Sequence, residues 1–262
     1  MAYSEQIDKV IDAATLLLAS GQSIALIGDV GVGKTRLAQR IAGRLDPGAL
    51  TLSGRPSLEE GHLIGRFCGY RRAVDIDRYV QSITKRQERV SLTWRDGPLV
   101  RAMVGGHLII MDEFNRMPVA LQALLLPVVE ERALTLDRDD DTIQRIEARE
   151  GFAMIMTGNT ADAGGLTPIS DALADRLVTL AVPMPDDRAL IEAIRAAGLD
   201  HQQATNLHRL ILSRHETIGL APPRSFRPFV TMARLVISLA DHTKAGTPEA
   251  LVNLIFTEAA AA

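Results

Sequence analysis

Cysteine is nearly missing from this sequence: Cys68 is the only one among 262 residues. An intramolecular disulfide is therefore excluded, which fits a reducing compartment. An excess of one charge is missing too. The 29 Lys and Arg stand against 32 Asp and Glu, for a net charge of −3. That balance argues against a broad basic face for DNA or RNA, and no basic cluster stands beside aromatics to grip single strands. No run of about 18 apolar residues exists, so no membrane-spanning helix is expected. The stretch Met1-Ala2-Tyr3-Ser4-Glu5 lacks the basic-then-apolar order of a signal peptide. There is no internal repeat and no low-complexity segment beyond the Ala-rich tail. These absences point to a soluble cytoplasmic protein.

What is present is an ordinary globular balance, 47% apolar and 23% charged, enough to fill a core. Ile7, Val10, Ile11, Ala14, Leu17 and Leu18 recur at helical spacing, with Ser4 as a candidate cap and Gly21 as a stop. Ser23 to Ile27 reads as a short strand, followed at once by a Gly-rich loop and a helix marked by Leu37, Ala38, Ile41, Ala42 and Leu45. Ala49 to Ser53 reads as a second strand. Residues 54 to about 89 are rich in arginine and weak in periodicity, and Val90 to Trp94 alternates like a strand before an Asp96-Gly97 turn. His107 to Met111 is an apolar run ending in Asp112, as a buried parallel strand would. A helix should start near Pro118 and be kinked or ended by Pro127. Ala133 to Leu136, the acidic turn Asp137 to Asp141 and Thr142 to Ile146 suggest a hairpin. Phe152 to Thr157 and Leu177 to Val182 complete the strands. After Pro183 and Pro185 the pattern is helical only, in about four segments, which places a boundary near residue 185. Strands alternating with helices before that boundary imply an α/β fold with a parallel sheet covered on both faces.

Two motifs carry chemistry. Gly28-Asp29-Val30-Gly31-Val32-Gly33-Lys34-Thr35 matches G-x-x-x-x-G-K-[ST] between a strand and a helix. Glycines let backbone N–H groups face phosphates, and the helix points its positive end at the same place. Lys34 would reach the β- and γ-phosphates of ATP, and Thr35 would ligate Mg²⁺. The second motif is the acidic pair closing the apolar strand. Asp112 would hold the Mg²⁺ water shell, and Glu113 would polarise the attacking water.

With both motifs placed, the chain resembles the AAA+ ATPases of the MoxR type. Asp112-Glu113-Phe114-Asn115-Arg116 is similar to that family's D-E-x-N-R run. Leu124 to Arg132 is similar to the helix that follows, ending in E-E/Q-R. Thr157-Gly158-Asn159 ends a strand where the family carries its sensor-1 asparagine, and Ala172-Leu173-Ala174-Asp175-Arg176-Leu177 is similar to A-L-x-D-R-F. Gly69-Tyr70-Arg71-Arg72, Trp94-Arg95-Asp96 and Gly105-Gly106-His107 further resemble the gas-vesicle (GvpN) branch, with the NorQ and CbbQ activators as close relatives. The chain departs from that branch at Thr157-Gly158-Asn159-Thr160, where an S-N-P sequence is expected, and at Pro127.

The resemblance implies a three-layer αβα P-loop core over residues 1–184 with strand order 5-1-4-3-2 and β-hairpin insertions, and a helical lid over 185–262. It implies Asn159 as the group orienting the water, against the plain reading of a strand-end turn former. Arg176 is implied as an arginine finger reaching the neighbouring subunit's γ-phosphate, against a surface arginine paired with Asp175 or another acid. Arg224 resembles the sensor-2 arginine of the lid, with Arg227 close behind as the other choice. Phe67-Cys68-Gly69 resembles a threading pore loop, set against a packed Phe with a buried free Cys. His201, His208 and His215 read as helix-surface positions rather than metal ligands. The expected protein is a six-membered homo-oligomeric ring that hydrolyses ATP to remodel a protein client, in gas-vesicle assembly or in enzyme maturation with a von Willebrand A-type partner. A nucleotide switch with little turnover and a nucleic-acid remodeller are the alternatives.

Overall fold

The computed structural model describes residues 2–79, 83–138, 142–159, 171–217, 219 and 221–242. The middle of the acidic turn, Thr160, the Ala-rich tail and any fourth helical segment beyond His242 lie outside them. In chain order the elements run α1 (Tyr3–Ala19), β1 (Ile24–Gly28), α2 (Lys34–Leu45), β2 (Leu50–Ser53), α3 (Glu60–Leu63), β3 (Gly65–Tyr79), β4 (Ile83–Asp96) and α4 (Pro98–Gly105). There follow β5 (Leu108–Asp112), a 3-10 turn (Phe114–Arg116), α5 (Val119–Leu124), α6 (Leu126–Glu130), β6 (Ala133–Arg138) and β7 (Thr142–Glu147). The remainder is β8 (Ala153–Asn159), α7 (Asp171–Ala174), β9 (Val178–Ala181), α8 (Asp187–Ala196), α9 (His201–Thr217) and α10 (Phe226–His242).

Alternation along the inner strands decides the architecture. The central sheet has the order β2-β5-β8-β1-β9, and every pairing in it is parallel. Counting only its strands along the chain, that is the expected 5-1-4-3-2. On β5, Leu108 and Ile110 face one hydrophobic cluster while Ile109 and Met111 face another. On β8, Ala153 and Ile155 are divided from Met154 and Met156 in the same way. Side chains of a strand point alternately to opposite faces, so a strand apolar throughout must be covered twice. Residues from α1 and α2 (Ile11, Ala14, Leu18, Leu37, Ala38, Ile41) cover one face; α4, α5 and their neighbours (Leu99, Met103, Phe114, Leu121, Leu125) cover the other. Each fully buried Leu, Ile or Phe contributes about 1.5–3 kcal/mol. A third, separate cluster, with Leu190, Ile194, Leu207, Ile211 and Phe229, is built by α8, α9 and α10.

Pro127 divides α5 from α6 at Leu125, and the β6–β7 hairpin forms where it was read. Three local expectations are corrected, at Ser4, Cys68 and His208. Ser4 does not cap α1. The helix starts at Tyr3 with no side-chain cap from its own segment, and the Asp186 carboxylate accepts from Tyr3 N at 3.3 Å instead. The Asp96-Gly97 turn leads from a strand into a helix: Gly97 opens α4, with Pro98 in its first turn. Cys68 is exposed, next to an irregularity in the β3–β4 ribbon, while Phe67 packs edge-on against Trp94 at 5.1 Å between centroids. His208 is buried and stacked on Phe229 at 5.2 Å, and burial holds its imidazole below the usual histidine range. Among the described residues, no helix is long and apolar enough to cross a membrane.

Candidate functional site

The carboxyl ends of parallel strands gather loops at one edge of a sheet, and ligands bind there. Here Gly28 at the end of β1 lies opposite Asn159 at the end of β8, and Ser53 of β2 lies opposite Asp112 of β5. Sheet order alone therefore brings the Gly-rich loop, the acidic pair and Asn159 together.

The loop turns through Gly31 (φ 80°) and Gly33 (φ 94°), left-handed conformations that glycine adopts without strain. Gly33 leads directly into α2, which leaves the first N–H groups of that helix pointing at the cavity. Lys34, only 8% exposed, donates to Gly28 O at 2.8 Å, Asp29 O at 2.6 Å and Asn159 Oδ1 at 2.8 Å. Burial pushes its ammonium below the usual lysine range, and the carboxylates of Asp29, Asp112 and Glu113 pull it back.

Thr35 Oγ1 donates to Asp112 Oδ1 at 2.7 Å, and Thr157 Oγ1 donates to the same oxygen at 2.5 Å. The next residue, Glu113, has a left-handed backbone (φ 53°), uncommon for a residue with a side chain. Its N–H donates to Thr157 Oγ1 at 3.0 Å, and its half-exposed carboxylate pairs with Arg116 at 3.2 Å. From β2's side, Gly54 N donates to Asp112 O at 2.7 Å. A Cβ on Gly54 would collide with the Glu113 carbonyl oxygen. Gly54→Ala is thus expected to cost about 1–3 kcal/mol of stability and to displace Glu113. Denaturant melts and turnover of the variant check this, and wild-type values in both would remove the steric argument.

A cavity of about 750 Å³ spans this edge. Its polar floor is the loop residues from Val30 to Thr35, with Asp112, Glu113, Thr157 and Asn159. Its apolar lining comes from Tyr3, Ile7, Val182, Ala193, Phe226 and Val230. Tyr3 and Phe226 meet edge-on at 5.8 Å, and burial, then Asp186, pushes the Tyr3 phenol up to about 12. Phe226 N donates to Gly31 O at 3.0 Å, so the start of α10 rests on the loop itself.

Two arginines are placed differently from the rest. Arg176 lies outside the cavity lining, with Nε 2.8 Å from Glu130 Oε2 and Nη1 donating to Ala172 O at 2.8 Å. Arg224 is exposed and also outside the lining, whereas Arg227 and Arg234 of α10 are within it. Sequence reasoning missed Thr157, Gly54, Tyr3, Phe226 and Arg234. Only Thr157 left a signal, as a polar residue within an apolar strand run.

The donor set suits a magnesium nucleotide: backbone N–H groups and an ammonium for phosphates, a hydroxyl and a carboxylate for a hard divalent cation, and aromatic and aliphatic side chains for a base.

Comparison with known proteins gives the same picture. The family profile described as "AAA domain (dynein-related subfamily)" matches residues 23–177, more than half of the chain. The gas vesicle ATPase GvpN of Haloferax mediterranei is 30% identical over 202 residues, 76% of this chain and 58% of its own length. The GvpN of Ancylobacter aquaticus is 31% identical over 77% of this chain and 56% of its own. Protein NorQ of Paracoccus denitrificans is 28% identical over 73% and 64%. The chain thus spans about six-tenths of the length of these relatives. Among solved structures, NtrX from Brucella abortus aligns with a TM-score of 0.59 at 14% identity, covering 94% of this chain and 53% of that one. A RuvB mutant from Thermotoga maritima aligns at 0.56 and 18%, covering 97% and 68%. At such identities they attest the fold alone.

Proposed function

The chain belongs to the AAA domain family, dynein-related subfamily, and on that premise we propose that it binds Mg-ATP in the cavity and hydrolyses it to remodel a protein client. The observation that carries this reading is the 2.7 Å hydrogen bond from Thr35 Oγ1 to Asp112 Oδ1. It joins the end of the glycine loop to the acidic pair, as a shared metal site needs.

In this reading the N–H groups from Val30 to Lys34 cradle the phosphates, and the Lys34 ammonium exchanges carbonyl partners for phosphate oxygens. Thr35 and Asp112 would hold Mg²⁺, which when bound neutralises phosphate charge. Glu113 accepts the proton of the attacking water as it approaches the γ-phosphate. Asn159, 2.8 Å from Lys34, orients that water. Such catalysis rests on positioning and charge stabilisation.

The helices after residue 185 act as a lid, supported by their separate core and by the contact of Phe226 with Gly31. Of the two sensor-2 choices we assign Arg227, since it lines the cavity and Arg224 does not. Arg176 stands clear of its own cavity, as a finger for the next subunit of a homo-oligomeric ring would; Glu130 holds it ready. A six-membered ring, a cytoplasmic setting and a client in enzyme maturation follow from the resemblance to the MoxR type, a client in gas-vesicle assembly also from the name of the gas vesicle ATPases, and all belong to this same reading.

The decisive test mixes two inactive variants. Arg176→Ala keeps its own Glu113, and Glu113→Gln keeps the finger. If the site is shared, random mixing restores roughly a quarter of the sites, because head-to-tail contacts pair each cavity with a neighbour. No recovery in the mixture, with each variant still binding ATP, would reject the finger in trans. Wild-type turnover that is negligible at every protein concentration would favour a nucleotide switch instead.

A further inference from the structure

Thr157 stands where two functions meet and has been given none. It is 1% exposed, on β8 between Met156 and Gly158, in a strand that is otherwise apolar up to that point. A buried hydroxyl must be satisfied, and this one is satisfied twice over by the acidic pair. Its proton goes to Asp112 Oδ1 at 2.5 Å, and its oxygen accepts from Glu113 N at 3.0 Å. One side chain therefore fixes the carboxylate of Asp112 and the peptide of Glu113 together.

We propose that Thr157 is a positioning residue: by clamping Asp112 and the Glu113 N–H with one hydroxyl, it sets the direction in which the Glu113 carboxylate faces the γ-phosphate. This rests on the ATPase reading above. The left-handed backbone at Glu113 is a sparsely populated conformation that its surroundings must enforce. Beyond the 3-10 turn, where Arg116 N donates to the Glu113 carbonyl at 2.9 Å, two neighbours hold it. Gly54, just after β2, closes one flank through Asp112 O, and Thr157 on β8 closes the other. Without the hydroxyl, Glu113 N–H loses its acceptor and Asp112 Oδ1 keeps only the Thr35 donor, which the metal site also uses. The Asp112–Thr35 contact survives, so nucleotide and metal binding are retained. What is lost is the fixed aim of Glu113. A general base works only within hydrogen-bond reach of its proton, so misdirection lowers turnover rather than affinity.

The test compares Thr157→Val, which keeps the shape and removes the hydroxyl, with Thr157→Ser, which keeps the hydroxyl. Thr157→Val is expected to bind Mg-ATP within about threefold of wild type and to turn over roughly 30-fold more slowly; Thr157→Ser is expected to restore most of that rate. An independent readout needs no turnover. Hydrogen exchange at the Glu113 amide, read without nucleotide, should accelerate about tenfold in Thr157→Val and not in Thr157→Ser. If Thr157→Val does not fold, Thr157→Ala carries the same expectations. Wild-type turnover and exchange in the hydroxyl-free variant, or an equal loss in Thr157→Ser, overturn the proposal. If wild type itself showed no Mg-ATP affinity, the ATPase reading would fall while the exchange result still tested the clamp.

Discussion

Glu113→Gln will bind Mg-ATP as tightly as wild type and hydrolyse it about 10³-fold more slowly, equivalent to ~4 kcal/mol of barrier. The amide keeps the volume of the side chain and its bond to the neighbouring guanidinium is lost only at an exposed ion pair, which contributes little to stability. The backbone contact to Thr157 is untouched, since it uses the peptide N–H. What disappears is a base able to accept a proton. Single-turnover hydrolysis beside an equilibrium titration separates the two effects. A variant that hydrolyses at the wild-type rate would remove Glu113 from the chemistry and move attention to water held by Asn159.

Lys34→Ala should do the reverse, weakening Mg-ATP binding by about 10²-fold, since charge-assisted hydrogen bonds contribute roughly 1.5–3 kcal/mol each. The three acceptors that Lys34 satisfies belong to the loop and to Asn159, so its removal also loosens the phosphate cradle. Titration with a fluorescent ATP analogue measures the loss. A Lys34→Ala variant of unchanged affinity would mean that the nucleotide does not sit in this loop. The two substitutions affect opposite parameters, which makes the pair more informative than either alone.

Most of the sheet was legible because its strands are short, apolar and bounded by glycine, proline or acids. β5 and β8 need cover on both faces, and that need shows as an unbroken apolar run. The loop motif was legible because a change from strand to helix periodicity frames it. Most of the stretch from Gly65 to Asp96 was not, although Val90 to Trp94 read as a strand and lies within β4. Its two strands pair with each other as a separate ribbon rather than joining the central sheet, so the packing of that sheet does not dictate their sequence. α4 was missed because Leu99, Val100, Ala102 and Met103 are all buried, leaving no polar stripe to mark its period. The capping of α1 was misread for a different reason. Its partner, Asp186, is 183 residues away, and no local pattern announces it. The same holds for Thr157, whose two partners are set by strand order rather than by neighbours in the chain.

Asp186 also accepts from Ala189 N at 2.8 Å, so its two carboxylate oxygens hold the starts of α1 and α8 at once. Mechanically this is a pivot. Any swing of the three-helix unit turns about a point fixed to the first helix, so Tyr3 stays with that helix while Phe226 moves against it. A pair of distance labels, one on α1 and one on α10, would therefore register any such swing.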